Sequence, residues 1–447
     1  MPYSKLYIPR YTGERKLSNE FRAIDKEFLR LSQAMQTVPP YDAPWVDVKT
    51  FGARGDWSHD DTASIQLGVD DPTGWLYFSP GTYKFSGNIG IPSNRTIVFH
   101  PEAVLKLADG AGGGVGVGKA GLSNADWTNG NNNISIYGLN GDGNKAGNGS
   151  KNLHFLYFCG VVRLNIFDAY IKNVPDDGNM TAGGDGCYLH RAGTTPTHHN
   201  KHVRMGHNWF EGCMRNGLSI IDAYYSSFIA NGAIGCGNNG LDVEPNDNVN
   251  DRLVQDIIDF FYVVNSTYSG IVVKFPTAGP PYFQYSGLGF NHLMSEGSGR
   301  HGIHVQDVSY LKFADIQMKN NSLEADNTYS GIYLYNCLRT GWTGIRCYGA
   351  TSPPSQKYGF EEAGSSDYNR VFDAELSGNY VESVLVGAHS GIVNPPITSG
   401  VSDHGLLTGL GDDDHTQYML VDGTRSIKVG VTPPGSPAAG DLWVDTT

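Results

Sequence analysis

The sequence predicts an all-β fold, a right-handed single-stranded parallel β-helix in which short strands coil into a solenoid. Two observations predict it. A glycine-led apolar motif repeats along the middle of the chain, and the composition is typical of many turns joined by short strands, with 58 glycines and only 17% charged residues. At 447 residues the chain exceeds one ordinary globular domain, which favours a fold that grows by repetition.

The repeat is a glycine followed by an apolar residue, a variable residue and usually a second apolar residue. Successive glycines lie about 23 to 32 residues apart, a solenoid period. Because alternate side chains of a strand point to opposite faces, we expect the apolar residues to point inward and the variable residue outward. One repeat cannot bury its apolar face alone, so neighbours must stack. The motif is led by Gly186, Gly217, Gly240, Gly270, Gly302, Gly331 and, less regularly, Gly359.

Different patterns flank the repeat region, which we assign to residues 41–395. Within residues 1–40, apolar side chains from Leu17 to Met35 alternate spacings of four and three. This heptad spacing predicts a short N-terminal helix that mediates oligomerisation or attachment to a larger assembly. The alternative is a single amphipathic helix that packs on the end of the solenoid. After Pro395-Pro396 the chain is Gly- and Asp-rich without repeat anchors, so residues 396–447 are predicted to form a separate C-terminal segment.

The start of the repeat region has a recognisable order of short motifs. It reads Phe51-Gly52-Ala53-Arg54-Gly55-Asp56, then Asp60-Asp61-Thr62, then Tyr77-Phe78-Ser79-Pro80-Gly81-Thr82-Tyr83 and Ile91-Pro92-Ser93-Asn94. This order resembles the opening of the pectate-lyase-like β-helix superfamily, which phage tailspikes share, and implies that fold more than any chemistry. Asp60 and Asp61 have the form of a catalytic pair, but capping of the short helix that closes the solenoid is the favoured interpretation.

The C-terminal segment resembles cassettes of phage tail fibres and tailspikes. The matching stretches are His404 to Tyr418, Val421 to Arg425 and Pro433 to Thr446. The resemblance implies a β-rich segment that forms homotrimers. Asp412 to His415 contains metal-ligand types, yet three adjacent aspartates cannot all face one ion from a regular strand. We therefore expect a solvated turn there, and we predict no metal and no cofactor.

Composition excludes several partners. The net charge of −13 argues against binding to nucleic acid or to an anionic membrane, because such binding needs clustered Lys and Arg. The chain has no run of about 18 apolar residues, so we expect that it does not insert into a membrane. Its start is not basic and then apolar, so we expect that it is made in the host cytoplasm without a signal peptide. Six cysteines are scattered without a Cys-x-x-Cys pair, which predicts buried thiols rather than zinc sites or disulfides.

The variable positions of the repeat predict a polysaccharide-binding ridge. Such a mixture of aromatic, charged and polar groups suits a sugar chain, whose CH faces stack on Tyr and whose hydroxyls meet polar groups. We assign substrate binding to Tyr188, His190, Lys274, Asp307, Tyr333 and Tyr335. The first predicted column is Tyr188, Ser219, Asp242, Val272, His304, Tyr333 and Glu361, and the second, two residues further on, is His190, Ile221, Glu244, Lys274, Gln306 and Tyr335.

Catalysis is assigned to Asp242, Glu244 and His304. Glycoside hydrolysis needs a proton donor and a second carboxylate, and Asp242 and Glu244 would lie about 6–7 Å apart at positions i and i+2 of one strand. A polysaccharide lyase would instead use a base such as His304 or Lys274. Other carboxylates nearby in sequence that could replace this pair are Asp222, Asp247, Glu296 and Asp307.

Together, the resemblances imply a phage tailspike located in the virion. Its expected partners are a host cell-surface polysaccharide, two further copies in a homotrimer, and a phage baseplate or tail protein bound through the N-terminus. The expected activity is depolymerisation of capsule, exopolysaccharide or O-antigen, with glycoside hydrolysis favoured. A lyase on the same fold and a non-catalytic receptor-binding fibre remain the alternatives.

Overall fold

The computed structural model describes residues 45–111, 121–179, 183–193, 197–247, 250–276, 285–325, 327–349, 355–393, 427–430 and 442–445. The chain divides into two compact units, Met1–Gly391 and Ile392–Thr447. In the second unit, strands Ile427–Gly430 and Leu442–Asp445 pair in parallel. The predicted helix of residues 1–40 and most of the predicted trimerisation segment, including Asp412 to His415, lie outside the described residues.

The first unit is a stack of parallel strands, which confirms the predicted all-β parallel β-helix. In the first sheet each strand pairs with the strand that follows one coil later. Neighbouring rungs are therefore about 4.8 Å apart, and crossovers between parallel strands are right-handed in nearly all proteins. In stacking order the strands of the first sheet are Ile89–Ile91, Leu122–Asn124, Leu156–Cys159, Cys187–His190, Leu218–Ile220, Leu241–Val243, Ile271–Lys274, Ile303–Gln306, Ile332–Tyr335, Tyr358–Ala363 and Val381–Val384.

A second, longer sheet forms the remaining walls of each coil. Its strands are Val46–Asp47, Asp56–Asp60, Trp75–Phe78, Gly81–Phe85, Arg95–Phe99, Ala103–Leu107, Asn132–Tyr137, Asn140–Asp142, Val162–Phe167, Tyr170–Lys172, Arg204–Gly206, Trp209–Glu211, Ser227–Ile234, Ile257–Val264, Gly289–Glu296, Lys312–Ala314, Gln317–Lys319, Gly341–Tyr348 and Arg370–Glu375. Short strands at Ala223–Tyr224, Leu253–Val254 and Tyr285–Ser286 pair separately, and Gly391–Val393 is a further strand. Helical turns are the 3-10 segments Val48–Phe51 and Lys145–Gly147 and the α-helix Thr62–Asp70. No helix of the described residues is long and apolar enough to span a membrane.

The core lies inside the coil, where inward side chains of successive rungs stack. Leu241 and Val243 are 0% and 1% exposed. Phe290, Phe313 and Trp342 stack with ring centroids 4.8 and 3.9 Å apart. Burying such a side chain contributes about 1.5–3 kcal/mol. All six cysteines are buried free thiols, as predicted.

Three columns of left-handed backbone run along the corners of the described coils. The first, which we call the corner ladder, contains Asn94, Asn133, Arg163, His202, Tyr225, Gln255, Gly287, Tyr310, Arg339 and Tyr368. The second contains Gly138, Asp168, His207, Ala230, Phe260, His292, Asp315, Gly344 and Asp373. The third, the Gly/Asn corner, contains Asn173, Gly212, Gly235, Asn265, Gly297 and Asn320. A residue with a side chain in this conformation costs about 1–2 kcal/mol, less for Asn.

The aspartate pair at the N-terminal end is structural. Asp60 Oδ1 accepts a hydrogen bond from the Thr62 amide at 3.0 Å, at the start of the helix Thr62–Asp70. Asp61 occupies the N-cap position, but its carboxylate accepts from the Arg54 and Gly55 amides instead of capping the helix. The interpretation of the pair as helix-end residues is thus supported, with Asp60 rather than Asp61 bonding the first turn.

A buried carboxyl at a corner predicts a pH dependence of stability. Asp256 is 3% exposed, its Oδ1 accepts from the Ser226 amide at 2.8 Å, and its Oδ2 has no hydrogen-bond partner among the described residues. Burial raises the pKa of Asp256 to about 8. Because the folded state binds this proton more tightly than the unfolded state, stability falls as pH rises from about 4 to about 8.

We expect Asp256→Asn, which mimics the protonated carboxyl, to leave Tm nearly unchanged at pH 5 and to raise it by several degrees above pH 8. Differential scanning calorimetry at both values tests this. Asp373→Asn, at an exposed left-handed position, is the control and should show no such pH-dependent difference. An equal effect of Asp256→Asn at the two pH values would contradict the assignment.

Candidate functional site

The first predicted column is in register on the first sheet. Tyr188 pairs with Ser219, and Ser219 pairs with Asp242. Beyond Asp242 the column continues through Val272, His304, Tyr333 and Glu361. The repeat motif read from the sequence therefore places these residues on consecutive rungs of one face.

The second column is in register only in part. Lys274 pairs with Gln306, and Gln306 pairs with Tyr335. Lys274 Nζ lies 2.7 Å from Glu244 Oε1, so these two positions also meet. Ile221 does not belong to the column, because its strand ends at Ile220 and the side chain is only 2% exposed.

Large rings flank a stretch of small side chains in the first column. Tyr188 and His304 stand four rungs apart, about 19 Å, and between them lie Ser219, Asp242 and Val272. Although these three point away from the core, they are only 0%, 7% and 8% exposed. We call this stretch, with Glu244 and Lys274 beside it, the cleft.

Asp242 is the buried carboxyl of the cleft. Its Oδ2 accepts a hydrogen bond from Asn216 Nδ2 at 2.8 Å, and its Oδ1 has no partner among the described residues. Burial first, and the negative charge of Glu244 second, raise the pKa of Asp242 to about 8, against the opposing effect of Arg215. Asp242 is therefore largely protonated at pH 7.

Asn216 fixes the hydrogen-bonding role of one oxygen of Asp242. The Oδ1 of Asn216 accepts from the Asn239 amide at 3.1 Å and from Asn238 Nδ2 at 3.0 Å. Because a backbone amide can only donate, the Asn216 side chain must direct its NH₂ group at Asp242. Oδ2 of Asp242 is then an acceptor, and Oδ1 is left without a hydrogen-bond partner among the described residues.

A buried ion pair supports this arrangement from the two rungs below Asp242. Asp185 is fully buried, and its carboxylate accepts hydrogen bonds from the Arg215 guanidinium and from Ser219 Oγ, the latter at 3.1 Å. His154 Nδ1 lies 3.2 Å from the same carboxylate. Although burial acts to raise it, Arg215 and His154 hold the pKa of Asp185 well below its usual range. The pair fixes the floor of the cleft, and its two charges act on the pKa of Asp242 in opposite directions, Arg215 lowering it and Asp185 raising it.

The far end of the cleft is lined by neutral histidines. His304 Nε2 is buried without a hydrogen-bond partner among the described residues, and burial followed by Lys274 lowers the pKa of His304 to about 4. His301 accepts from the Ser330 amide at 3.0 Å, stacks on Tyr333 at 4.4 Å, and has its pKa lowered to about 3 by burial. Both rings are uncharged at pH 7, and the same burial makes each ring a weaker base than a solvated histidine.

The remaining predicted binding residues lie around the cleft and differ in how far their polar groups are already hydrogen-bonded. The Tyr188 hydroxyl accepts from Asn246 Nδ2 at 3.0 Å, and Tyr335 is 38% exposed. His190 ends its strand and bonds the carbonyl of Arg191 at 2.9 Å. The Asp307 carboxylate is engaged by Gln306 Nε2 at 2.8 Å and Asn336 Nδ2 at 3.0 Å, at the end of the strand rather than above the floor.

The alternative carboxylates have other partners. Asp222 is fully buried and accepts from His199 and from the Asn200 and Arg252 amides. Asp247 pairs with Arg191 at 2.5 Å. Glu296 lies on the second sheet, paired with Lys319. These contacts leave Asp242 and Glu244 as the carboxylates that share the cleft floor.

Sequence reasoning missed several residues that shape the cleft. Trp127 stacks on Tyr157 at 4.6 Å, and Tyr157 stacks on Tyr188 at 5.3 Å, which extends the aromatic wall by two rings. Tyr157 could have been found, because it precedes Tyr188 by one period. Trp127 and Arg215 lie outside the strand motif, and no spacing rule in the sequence points to them.

Known proteins resemble this chain in both sequence and fold. Residues 45–250 match the family model described as Rhamnogalacturonase A/epimerase, pectate lyase-like. The preneck appendage proteins of Bacillus phages PZA and phi29 are each 28% identical over 198 residues, covering 41% of this chain and 22% of the relative. The chain thus spans about a fifth of the length of these curated relatives.

Solved structures show the same fold at low identity. The A-module of mannuronan C-5 epimerase AlgE6 from Azotobacter vinelandii is 18% identical with a TM-score of 0.58, over 78% of this chain and 99% of that one. The N-terminal fragment of bacteriophage phi29 gene product 12 is 15% identical with a TM-score of 0.54, over 83% and 68%. An exopolygalacturonase from Thermotoga maritima is 12% identical with a TM-score of 0.51, over 83% and 96%.

The described coils therefore define a parallel β-helix protein, and residues 45–250 of it are similar to a pectate-lyase-like family. Its sequence relatives are appendage proteins of bacteriophages. The predicted resemblance to phage proteins that carry this β-helix is confirmed.

The coupling of the two cleft carboxyls gives a direct test of the site. We expect Glu244→Gln to lower the pKa of Asp242, because it removes a negative charge and frees the Lys274 ammonium. Carboxyl carbon chemical shifts followed against pH by NMR measure this. Glu296→Gln, which breaks the equivalent pair with Lys319 on the other sheet, should leave Asp242 unchanged. An unchanged or raised pKa in Glu244→Gln would contradict the geometry.

Proposed function

We propose that the chain is a virion protein of a phage tail, a tailspike that binds a host surface polysaccharide and cleaves it by glycoside hydrolysis. One observation carries the proposal. A buried carboxyl, Asp242, keeps its proton at pH 7 with Oδ1 unpartnered, next to a second carboxylate, Glu244. The similarity to phage appendage proteins supports the proposed location in a virion, and the similarity to a pectate-lyase-like family supports a polysaccharide substrate.

The proposed reaction uses the two carboxyls in different roles. Asp242 donates its Oδ1 proton to the glycosidic oxygen as the bond to the anomeric carbon breaks. Glu244 removes a proton from a water molecule whose oxygen bonds to that carbon. The Glu244 proton returns to solvent, and Asp242 takes up a new one. The Cα atoms of positions i and i+2 in a strand are about 6–7 Å apart, and inverting enzymes hold their two carboxyl groups about 6.5–9.5 Å apart.

Burial suits Asp242 to the role of the acid. Asp242 is 7% exposed, whereas the Glu244 side chain is 35% exposed and paired with Lys274. An acid must remain protonated at the working pH, and removal of water from around Asp242 favours its neutral form. Tyr188 at one end of the cleft, and Tyr333 one rung beyond His304 at the other, are suited to hold the sugar rings on either side.

The main prediction is loss of cleavage when the acid is removed. We expect Asp242→Asn and Glu244→Gln each to lower the rate of reducing-end formation by about 10²-fold or more on a susceptible host polysaccharide. Glu296→Gln serves as the control for removal of a paired surface carboxylate. Full activity of Asp242→Asn would sink the hydrolase mechanism.

The activity should fall as the pH rises. Because Asp242 must be protonated, we expect kcat to decline as pH rises through about 8. A profile of kcat from about pH 5 to about pH 10, compared with the stability of the protein over the same range, measures this decline. A profile that rises through pH 8 would contradict a proton-donor role for Asp242.

A polysaccharide lyase is the second candidate, and His304 favours it. Its neutral, unpartnered Nε2 could remove a proton beside a carboxylate-bearing carbon of the substrate. Products of a lyase gain ultraviolet absorbance from a new double bond, and His304→Gln would then be the inactive variant. Binding without either product signal would support a receptor-binding fibre that does not cleave.

We also propose the assembly that such a role requires. Residues 1–40 would attach to a baseplate or tail protein, and residues 396–447 would hold three copies together. Light scattering of the full chain tests the trimer, with a mass three times that of the 48.5 kDa chain as the expected outcome.

A further inference from the structure

The corner ladder differs in residue type from another corner with the same backbone. The Gly/Asn corner contains only glycine and asparagine, the residues that adopt a left-handed conformation at the lowest cost. From the third rung onward, the corner ladder instead carries Arg163, His202, Tyr225, Gln255, Tyr310, Arg339 and Tyr368, interrupted by Gly287. The backbone of the coil does not require these large side chains, since the Gly/Asn corner makes an equivalent turn without them.

Packing into the core does not offset the cost of these residues. Tyr225, Tyr310 and Tyr368 are 50%, 52% and 41% exposed. Bulky residues held in a disfavoured conformation without burial are a recognised mark of binding surfaces. Their persistence over six rung steps from His202 to Tyr368, about 29 Å, points to an elongated partner.

The ladder side chains are ordered by contacts with one another. The rings of His202 and Tyr225 stack at 5.7 Å. The Arg339 guanidinium lies over Tyr310 at 5.5 Å and over Tyr368 at 5.2 Å, and Tyr368 stacks on His389 at 4.2 Å. Planar groups fixed in this way present their edges and polar atoms at low entropic cost, which favours recognition of an extended ligand.

The charge of the ladder is opposite to that of the whole chain. Its named residues include the cations Arg163 and Arg339 and no Asp or Glu, whereas the net charge of the chain is −13. Lys201, one residue before His202, adds a further cation over the ring of Tyr224 at 5.7 Å. The carboxylate of Asp367 lies near the last rung and pairs with His389. The ladder is thus suited to an anionic partner.

A polar hollow of about 230 Å³ opens beside the first rungs of the ladder. Three of its lining residues, Asn132, Val162 and Lys201, immediately precede the ladder residues Asn133, Arg163 and His202. The remaining lining residues are Asn129, Asn131, Gly160, Thr197, His198 and His199. Amides, imidazoles and an ammonium group in one concave site are suited to the carboxylate and hydroxyls of a sugar.

The geometry points to a second saccharide-binding surface, formed by the hollow and the corner ladder and separate from the cleft, that takes an anionic polysaccharide chain. Aromatic or cationic side chains recur at the spacing of one coil on both sides of Gln255 and Gly287, so successive sugar units can meet the same kind of contact. This surface would hold a chain on the particle whether or not the cleft cleaves it.

The test replaces ladder residues by the residue that the Gly/Asn corner uses. The triple variant Tyr310→Asn, Arg339→Asn, Tyr368→Asn is made in an Asp242→Asn, Glu244→Gln background, so that cleavage cannot consume the probe. Titration calorimetry at about 0.15 M salt uses alginate, hyaluronan and polygalacturonate as acidic probes and dextran as the neutral probe. We expect the background protein to bind at least one acidic probe and not dextran, and the triple variant to bind about tenfold or more weakly.

Stability and a second variant distinguish binding from a structural role. Because Asn suits a left-handed backbone, Tm of the triple variant should equal or exceed that of its background. Phe260→Asn, at a ring of the second corner column, should leave binding unchanged. The proposal is overturned if no acidic probe binds, if dextran binds equally, if the triple variant unfolds at a markedly lower temperature, or if light scattering shows that the substitutions change the oligomeric state. Since the background lacks the cleft carboxyls, these outcomes do not depend on whether the cleft is catalytic.

Discussion

In-register parallel pairing is the constraint on which the rest of this structure depends. Each strand of the first sheet hydrogen-bonds to the equivalent strand one coil later, so a position in the repeat becomes a straight column in space. Tyr188 and Tyr333 belong to different coils yet stand on one line because of this pairing. The solenoid thereby converts a periodic sequence into an ordered surface, and the chemistry of that surface is decided by single substitutions within a constant frame.

Removal of water from one outward position distinguishes the cleft from the rest of the face. Asp242 and Glu361 occupy the same column, but Asp242 is 7% exposed and lies beside a second carboxylate, whereas Glu361 is bonded to Ser330. The buried Arg215–Asp185 pair fixes the floor, and Asn216 fixes the hydrogen-bonding role of one oxygen of Asp242. The result is an acid whose protonation is set by its surroundings rather than by its type.

The fold and the columns could be predicted because they depend on spacing alone. The glycine motif identified the rungs, and strand periodicity then placed Asp242 and His304 on the outer face. The placement of Ile221 in the second column was wrong, because the sequence does not mark where a strand of three residues ends. Arg215, Asn216 and Trp127 lie in turns, where side-chain direction depends on backbone angles and on neighbours from other coils. The low exposure of Asp242 is likewise a tertiary property, since the same residue type on a convex face would be solvated.

The constant register has a further consequence for how such a chain can change. Insertion of one residue within a strand reverses the faces of all residues that follow in that strand, so apolar side chains would meet water. Insertion or loss of a complete coil preserves every column above and below it, because each coil contacts only its neighbours. The distance between the aromatic walls of the cleft is therefore adjustable only in steps of one rung, about 4.8 Å. The outer surface of such a protein would therefore lengthen or shorten by discrete increments, while the turns between strands vary freely.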